Sequence, residues 1–446
     1  MIDVTSAADE GHAPETITEH LDRRIQDLVA LERQIRDLRS YLQRYRNLQS
    51  IIQRLPPEIL SLIFVCGQEL HGIGFELAVS QTCHHWRTVA LETRALWSTI
   101  EFQEGAPFDK SAVWLGRAHG HPLHVSIPRL PNSTDLGLAL SLLSPQAHRL
   151  ASLSFTAPCH SETRDITPFL RQLVQPRRPC ELISLALVHP GVPDADPELM
   201  TNFKQWADPD AWRILITSVR CLEVNGVHVP WHVCTVASLT TLRLSNLSTG
   251  HCSVIEDILR SSPALTELNL WDVDWAESPS PLPPIHLPLL RKLGFTYGST
   301  ACRALVQAVE APHLKSLCVG GATSTNVPTG ALTPLLVRYT ASLELEQLGL
   351  ESCNIDDLDW KGLASRLCRL TCIVFSQCNP RLCHRSLNNL PHSVNQLRFR
   401  QCIGLSLEHL QQQIIAKRQQ LVRVSIEECY FDDGGKFEAW LRSEGL

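Results

Sequence analysis

Long apolar runs are missing from this sequence: nowhere do the ~20 consecutive apolar residues of a membrane-spanning helix occur. Basic runs are missing too, and a net charge of −6 argues against a nucleic-acid partner, whose phosphates demand Lys and Arg. The opening MIDVTSAADEGH is acidic and lacks the basic-then-apolar order of a signal peptide, so residues 1–15 are expected to form a disordered tail. Without such a peptide, the sixteen cysteines are expected to be reduced thiols in cytoplasm or nucleus, because a chain this long builds a core without disulfides. The sequons at Asn132 and Asn246 then carry no meaning.

Catalytic signatures are absent as well. There is no Gly-x-x-x-x-Gly-Lys loop, no G-x-S-x-G elbow and no H-E-x-x-H helix. Acid and His residues are scattered, and a hydrolase assembled from distant residues has no positive support. Cys368, Cys372, Cys378, Cys383 and His384 crowd together, but without the CxxC pairs of a zinc ribbon. The Cys83-His84-His85 triplet points around a helix in three directions and cannot converge on an ion. The expectation is a non-enzyme with no cofactor and no metal.

What is present is ordinary globular material, 44% apolar and 19% charged, long enough for more than one domain. From Glu15 to Leu55 there is no Gly or Pro, and a heptad register fits. One seam takes Leu21, Leu28, Ile35 and Leu42; the other takes Ile17, Leu31, Leu38, Tyr45 and Ile52, and Arg24 and Gln49 are the only polar residues at seam positions. Residues 16–52 are therefore expected to form a coiled-coil-like helix. It pairs with a second copy or another partner, or it folds back onto its own domain.

Pro56-Pro57 ends that helix near Arg54 and starts another, since Pro suits a first helical turn. Ile59, Leu60, Ile63 and Phe64 then form one wide apolar stripe, and Cys83, Trp86 and Val89 recur at threes as on one helical face. So short a unit has more apolar surface than it can bury, which implies a docking surface. The ordered set "LPPEIL..IF", "VSQTCHHWRTVA" and "LWSTI" resembles the F-box, the small all-α bundle of substrate receptors in Skp–cullin–F-box ubiquitin ligases. The resemblance spans residues 53–100. It implies an adaptor interface at Leu55, Pro56, Ile59, Leu60, Ile63 and Phe64, with Cys83, Trp86 and Val89 at that interface or supporting it. The segment "VCGQELHGIGFELAV" departs from the family's usual aspartate-rich turn.

Beyond the F-box the chain repeats itself. A pattern L-x-x-L-x-L begins at Leu150, Leu182, Val219, Leu239, Leu265, Leu290, Leu314, Leu345, Leu370, Val394 and Leu421, mostly in steps of 24 to 27 residues. Cys353, Cys378, Cys402 and Cys429 stand three residues after the pattern in four successive copies. This resembles leucine-rich repeats of the cysteine-containing subtype, where that residue is buried and hydrogen-bonds the turn. "WSTIEF" and "PLHVSI" around "DKSAVWLGRAHG" resemble the strand–helix–strand entry to the repeats in fungal F-box proteins. The expected fold is thus α/β overall: coiled-coil-like helix, F-box bundle, then a leucine-rich-repeat solenoid over 101–446. That solenoid is irregular over 101–238, regular over 239–430, and closed by a helix over 431–446. Two insertions interrupt it, an acidic one at 189–212 and a proline-rich, polyproline-like one at 274–288.

The resemblance implies a substrate-recognition subunit that reaches a cullin through a Skp-type adaptor. It holds an unidentified protein substrate on the concave strand face and leaves bond-making to other subunits. The alternative is a repeat scaffold whose F-box-like bundle only caps the solenoid.

Overall fold

The computed structural model describes residues 17–103, 105–130, 133–156, 166–174, 182–189, 209–227, 229, 231, 236, 238–249, 252–275, 282–297, 300–321, 338–339, 344–352, 367–378, 383, 390–405, 407–417, 419–431 and 440. They fall into two units, 1–97 and 98–446.

In the first unit, α1 (Ile17–Leu48) is a 32-residue helix. It ends six residues before the expected stop at Arg54, and a single 3-10 turn at Ile51–Arg54 leads to the prolines. Pro57 then takes the first position of α2 (Pro57–His71), where a missing N–H leaves no bond unmade. The helices α3 (Phe75–Thr82) and α4 (His84–Glu92) follow, with a 3-10 turn at Arg94–Trp97. No described element covers the seams of α1: Leu28 is 65% exposed and Leu38 60%.

The sequence reading of residues 75–97 is corrected at Cys83, where the backbone is extended (φ −159°) and the helix breaks. Cys83 is instead the N-cap of α4, its Sγ accepting from the Trp86 N–H at 3.5 Å. The Gly-Ile-Gly departure is also accounted for. Gly72 (φ 74°) and Gly74 (φ 102°) adopt backbone angles that side chains oppose, and so turn the chain sharply between α2 and α3.

In the second unit the described residues hold a sheet of thirteen parallel strands whose spatial order is their chain order. They are β1 (Thr99–Glu101), β2 (Leu123–Ile127), β3 (Leu150–Thr156), β4 (Ser184–Val188), β5 (Cys221–Asn225), β6 (Thr241–Thr249) and β7 (Glu267–Trp275). Then come β8 (Lys292–Thr296), β9 (Ser316–Gly320), β10 (Gln347–Glu351), β11 (Cys372–Ser376), β12 (Gln396–Arg400) and β13 (Arg423–Glu427). Each L-x-x-L-x-L segment supplies one strand, and a helix Asp109–Arg117 lies between β1 and β2. Such a sheet fits a repeat solenoid. Of the acidic insertion only 189 and 209–212 are described, and of the proline-rich one 274–275 and 282–288. The closing helix falls almost wholly outside the described residues, with Tyr430–Phe431 instead a short strand beside Ile403–Leu405.

Alternate strand residues point inward and are buried, as in Leu242/Leu244, Leu268/Leu270, Leu293/Phe295 and Leu397/Phe399. At strand entry one carbonyl accepts two successive N–H groups from the next turn: Thr266 O takes Arg291 and Lys292, and Arg291 O takes Lys315 and Ser316. At the sixth position from the start of their strands, which lies within β6 and β7 and just past the end of the others, Asn246, Asp272, Ser352, Gln377, Gln401 and Glu428 have φ between 46° and 54°. Side chains relay along this column: Ser352 Oγ donates to Gln377 Oε1 (2.9 Å), Gln377 Nε2 to Gln401 Oε1 (2.9 Å), and Gln401 Nε2 to Glu428 Oε2 (2.8 Å). One residue on, Cys378 Sγ donates to Leu350 O (3.1 Å) and Cys402 Sγ to Phe375 O (3.5 Å), each reaching the preceding turn. Cys429 is only half-buried, and Cys353 lies outside the described residues.

On the outward face Gly294 and Gly320 form a floor beneath Trp271. A Cβ on Gly320 would stand 2.5 Å from the indole Cζ3. Gly320→Ala is expected to cost roughly 1–3 kcal/mol through this clash. A double-mutant cycle by urea unfolding should show most of that cost vanish in a Trp271→Ala background.

Candidate docking surface

In α2 successive residues stand 100° apart, so Ile59 and Ile63 form one row and Leu60 and Phe64 a second row about 100° round the helix. Leu60 and Phe64 are fully buried, whereas Ile59 and Ile63 are each 43% exposed. The single wide stripe read from the sequence therefore divides into two neighbouring rows about 100° apart, and Leu60 and Phe64 belong to the core of the unit. Phe64 meets Trp86 with ring centroids 5.1 Å apart. Leu62 (62%), Leu70 (81%) and Ile73 (41%) are further exposed apolar residues, which the sequence reading passed over. A strict 3.6-residue count along α2 would have placed Leu62 and Leu70 near Ile59 and Ile63. Pro56 is exposed and Leu55 half-buried.

Val89 is buried, and Cys83 and Trp86 are half-buried. Cys83 Sγ also receives Gln53 Nε2 at 3.1 Å, tying the 3-10 turn to α4. These contacts give Cys83, Trp86 and Val89 a supporting place behind α2. Polar locks complete the unit: Gln68 Nε2 donates to Leu96 O (2.9 Å), and Trp97 Nε1 to Ala90 O (2.7 Å). The buried Glu76 carboxylate accepts the Gly74 N–H through both oxygens at 3.0 Å. Trp86 Nε1 and His85 Nε2 are buried without a hydrogen-bond partner.

The outward face of the sheet is chemically divided. Arg243 reaches Glu267 (2.8 Å) and Glu223 (3.4 Å), and Lys292 approaches Glu267 at 3.6 Å, so this region satisfies its own charges. Partial burial pushes the Glu351 carboxyl up, and the charge of Asp272 adds to it. Burial raises Asp272 too, against a hydrogen bond with Thr296. Towards the last strands Arg398, Arg400 and Arg423 stand on the same face, and Arg400 pairs with Glu427 at 2.9 Å. Elsewhere a cavity of about 340 Å³ beside His286, Glu310, Arg338 and Tyr339 has its polar groups paired. There His286 Nδ1 meets Glu310 at 2.7 Å and Tyr339 Oη donates to Val306 O at 2.6 Å.

Residues 52–103 match the F-box-like family, so the chain carries an F-box-like domain there, most of it in the first unit. No curated protein matches the chain. A chain of the crystal structure described as the Rad7 and Elc1 complex in yeast is similar at 13% identity, with a TM-score of 0.41. That match covers 87% of this chain and 94% of the other.

A Cβ on Gly67 would stand 2.3 Å from Cζ and 2.5 Å from Cε1 of Phe75, so α2 and α3 approach closely only because residue 67 is bare. Gly67→Ala gains up to ~1 kcal/mol of helix propensity but incurs a clash of roughly 1–3 kcal/mol. A net loss is expected, read as faster hydrogen exchange across α2 and α3 of the full chain.

Proposed function

We propose that this protein is a substrate-recognition subunit of a Skp–cullin–F-box ubiquitin ligase. Its F-box-like unit docks on a Skp-type adaptor through Ile59, Leu62 and Ile63, with Pro56 and Leu55 at the edge of the contact. The observation that carries this reading is the apolar stripe left exposed on α2 of a domain that matches the F-box-like family. An exposed row of large aliphatic side chains on so small a domain calls for a protein partner. Leu60, Phe64 and Val89 hold the stripe in place from beneath.

The parallel sheet is read as a leucine-rich-repeat solenoid of the cysteine-containing kind. Its supports are the strand-per-repeat spacing and the thiols of Cys378 and Cys402, which donate into the preceding turn. Its outward columns receive the substrate protein. The contribution to ubiquitin transfer is positional: a tethered substrate experiences a raised effective concentration of the charged conjugating enzyme. Bond-making groups reside on other subunits, in cytoplasm or nucleus.

Co-purification of the full chain with a Skp-type adaptor tests this. Ile59→Asp with Ile63→Asp is expected to weaken binding at least a hundredfold, because two carboxylates replace apolar side chains in a desolvated contact. Circular dichroism should remain unchanged, both side chains being outside the core. Retained binding in this variant refutes the interface. Loss of adaptor binding in Phe64→Ala would be accompanied by unfolding of the unit, a core Phe→Ala costing roughly 3–5 kcal/mol.

A further inference from the structure

The helix α1 carries a second unpartnered surface, independent of the F-box-like unit's stripe. Leu28, Leu31, Ile35, Leu38 and Leu42 occupy its heptad seams and are each 51–65% exposed. Tyr45 continues the seam at 60%. At 32 residues the helix is about 48 Å long. Nothing in its own composition rewards leaving that seam in water, and helices with seams of this kind are held by a second helix.

We propose that α1 pairs with α1 of a second copy of this chain, in the antiparallel orientation. Charge and layer matching both lead there. With Leu21, Leu28, Ile35 and Leu42 on one seam, the other runs Arg24, Leu31, Leu38, Tyr45. In a parallel, in-register pair each seam residue faces its own copy, so Arg24 would meet Arg24 inside the contact. Asp27 and Glu32, which flank the seams, would face each other on both sides, like against like. Both features oppose that pairing.

The antiparallel pair with Ile35 opposite the second copy's Leu38 removes both conflicts. Its layers become Leu28 with Tyr45, Leu31 with Leu42 and Ile35 with Leu38, each occurring twice by symmetry, so six apolar layers follow without interruption. Arg24 moves to the end, opposite Gln49 just beyond α1. Glu32 and Arg39 then flank the same two layers from opposite chains, giving two symmetric attractive pairs. Within one chain Glu32 already holds Arg36 at 2.8 Å, but that pair is exposed and easily shared. Shifting the register by one heptad, so that Ile35 faces Leu31, keeps six apolar layers but interrupts them twice by burying Arg24 against Leu42.

Sedimentation equilibrium of the full chain should show a dimer, and Leu31→Asp with Leu38→Asp should make it monomeric while adaptor binding persists. Orientation is read from charge. Glu32→Arg places Arg against Arg39 in the antiparallel pair and is expected to weaken the dimer about fivefold or more. Arg39→Glu should do the same, and Glu32→Arg with Arg39→Glu should restore it. A parallel pair reverses the first result, since Arg at position 32 would face Asp27 and tighten the dimer. The proposal is overturned by a monomer up to about 100 μM, the weak end of specific association. A dimer that survives Leu31→Asp with Leu38→Asp, or one tightened by Glu32→Arg, overturns it as well.

Discussion

At the entry to each strand from β5 onward a single carbonyl oxygen accepts two consecutive N–H groups of the following turn, and the later half of the sheet is registered by that contact. Ile183, Arg220, Thr240, Thr266, Arg291, Lys315, Glu346, Thr371 and Asn395 supply these oxygens. Because the acceptor is backbone, the contact tolerates Arg, Thr, Lys, Glu or Asn at the same place. It fixes which residue of one strand stands beside which residue of the next. A slip by one residue would turn every inward Leu to the outer face and every outward polar residue into the core. The inward rows therefore reinforce the register that the carbonyls set, each strand interior contributing two large apolar side chains to one continuous stack.

Register in turn determines what the outer face can be. Residues at equivalent places form columns: Glu223, Arg243, Asn269, Gly294, Cys318, Gly349, Val374, Arg398, Ser425 is one of them. Where a column offers opposite charges in neighbouring turns, as Glu223 and Arg243 do, they neutralise each other. Where it offers Gly294, Trp271 of the adjacent column lies down over it, and Gly320 in the column of Trp271 itself leaves room for the same ring. The same column logic produces the exit relay from Ser352 to Glu428, whose left-handed backbone is held by side chains that each donate to the next turn. An ordinary side chain at φ near 50° is costly alone, so the relay and the strand-edge N–H bonds offset a strain repeated along the sheet.

The strands were legible in the sequence because a period-2 apolar pattern recurring along the chain has few other physical outcomes. The break at Cys83 was not legible. Cys83, Trp86 and Val89 have helical spacing, and only the capping bond from the Trp86 N–H to the Cys83 sulfur shows that the first of them stands outside the helix. The earlier end of α1 at Leu48 was hidden for a related reason: Gln49 and Ile52 continue the heptad, yet the 3-10 turn at Ile51–Arg54 is tied to α4 by Gln53 Nε2 donating to Cys83 Sγ. On α2 the sequence singled out Ile59, Leu60, Ile63 and Phe64 but passed over Leu62 and Leu70, and a stripe of adjacent pairs does not reveal which member faces inward. That was decided by Trp86, which packs on Phe64, and by the bare Gly67, which lets Phe75 close against the inner side.

Magnitudes then limit how small the docking contact can be. Ile59, Leu62 and Ile63 are about half exposed, so burying the remainder contributes roughly half of the 1.5–3 kcal/mol expected for each full side chain. Three such residues contribute on the order of 3–4 kcal/mol, below the 4–15 kcal/mol lost in bringing two proteins together. The stripe on α2 is consequently too small to act alone. Leu70 in the last turn of α2 and Ile51 in the 3-10 turn are 81% and 80% exposed, and Ile73 just beyond α2 is 41% exposed, so each has further apolar surface to bury. A partner that binds this unit must reach past the first two turns of α2 and bury some of them as well, so a contact of the kind proposed extends along the helix and is not confined to its proline-marked end.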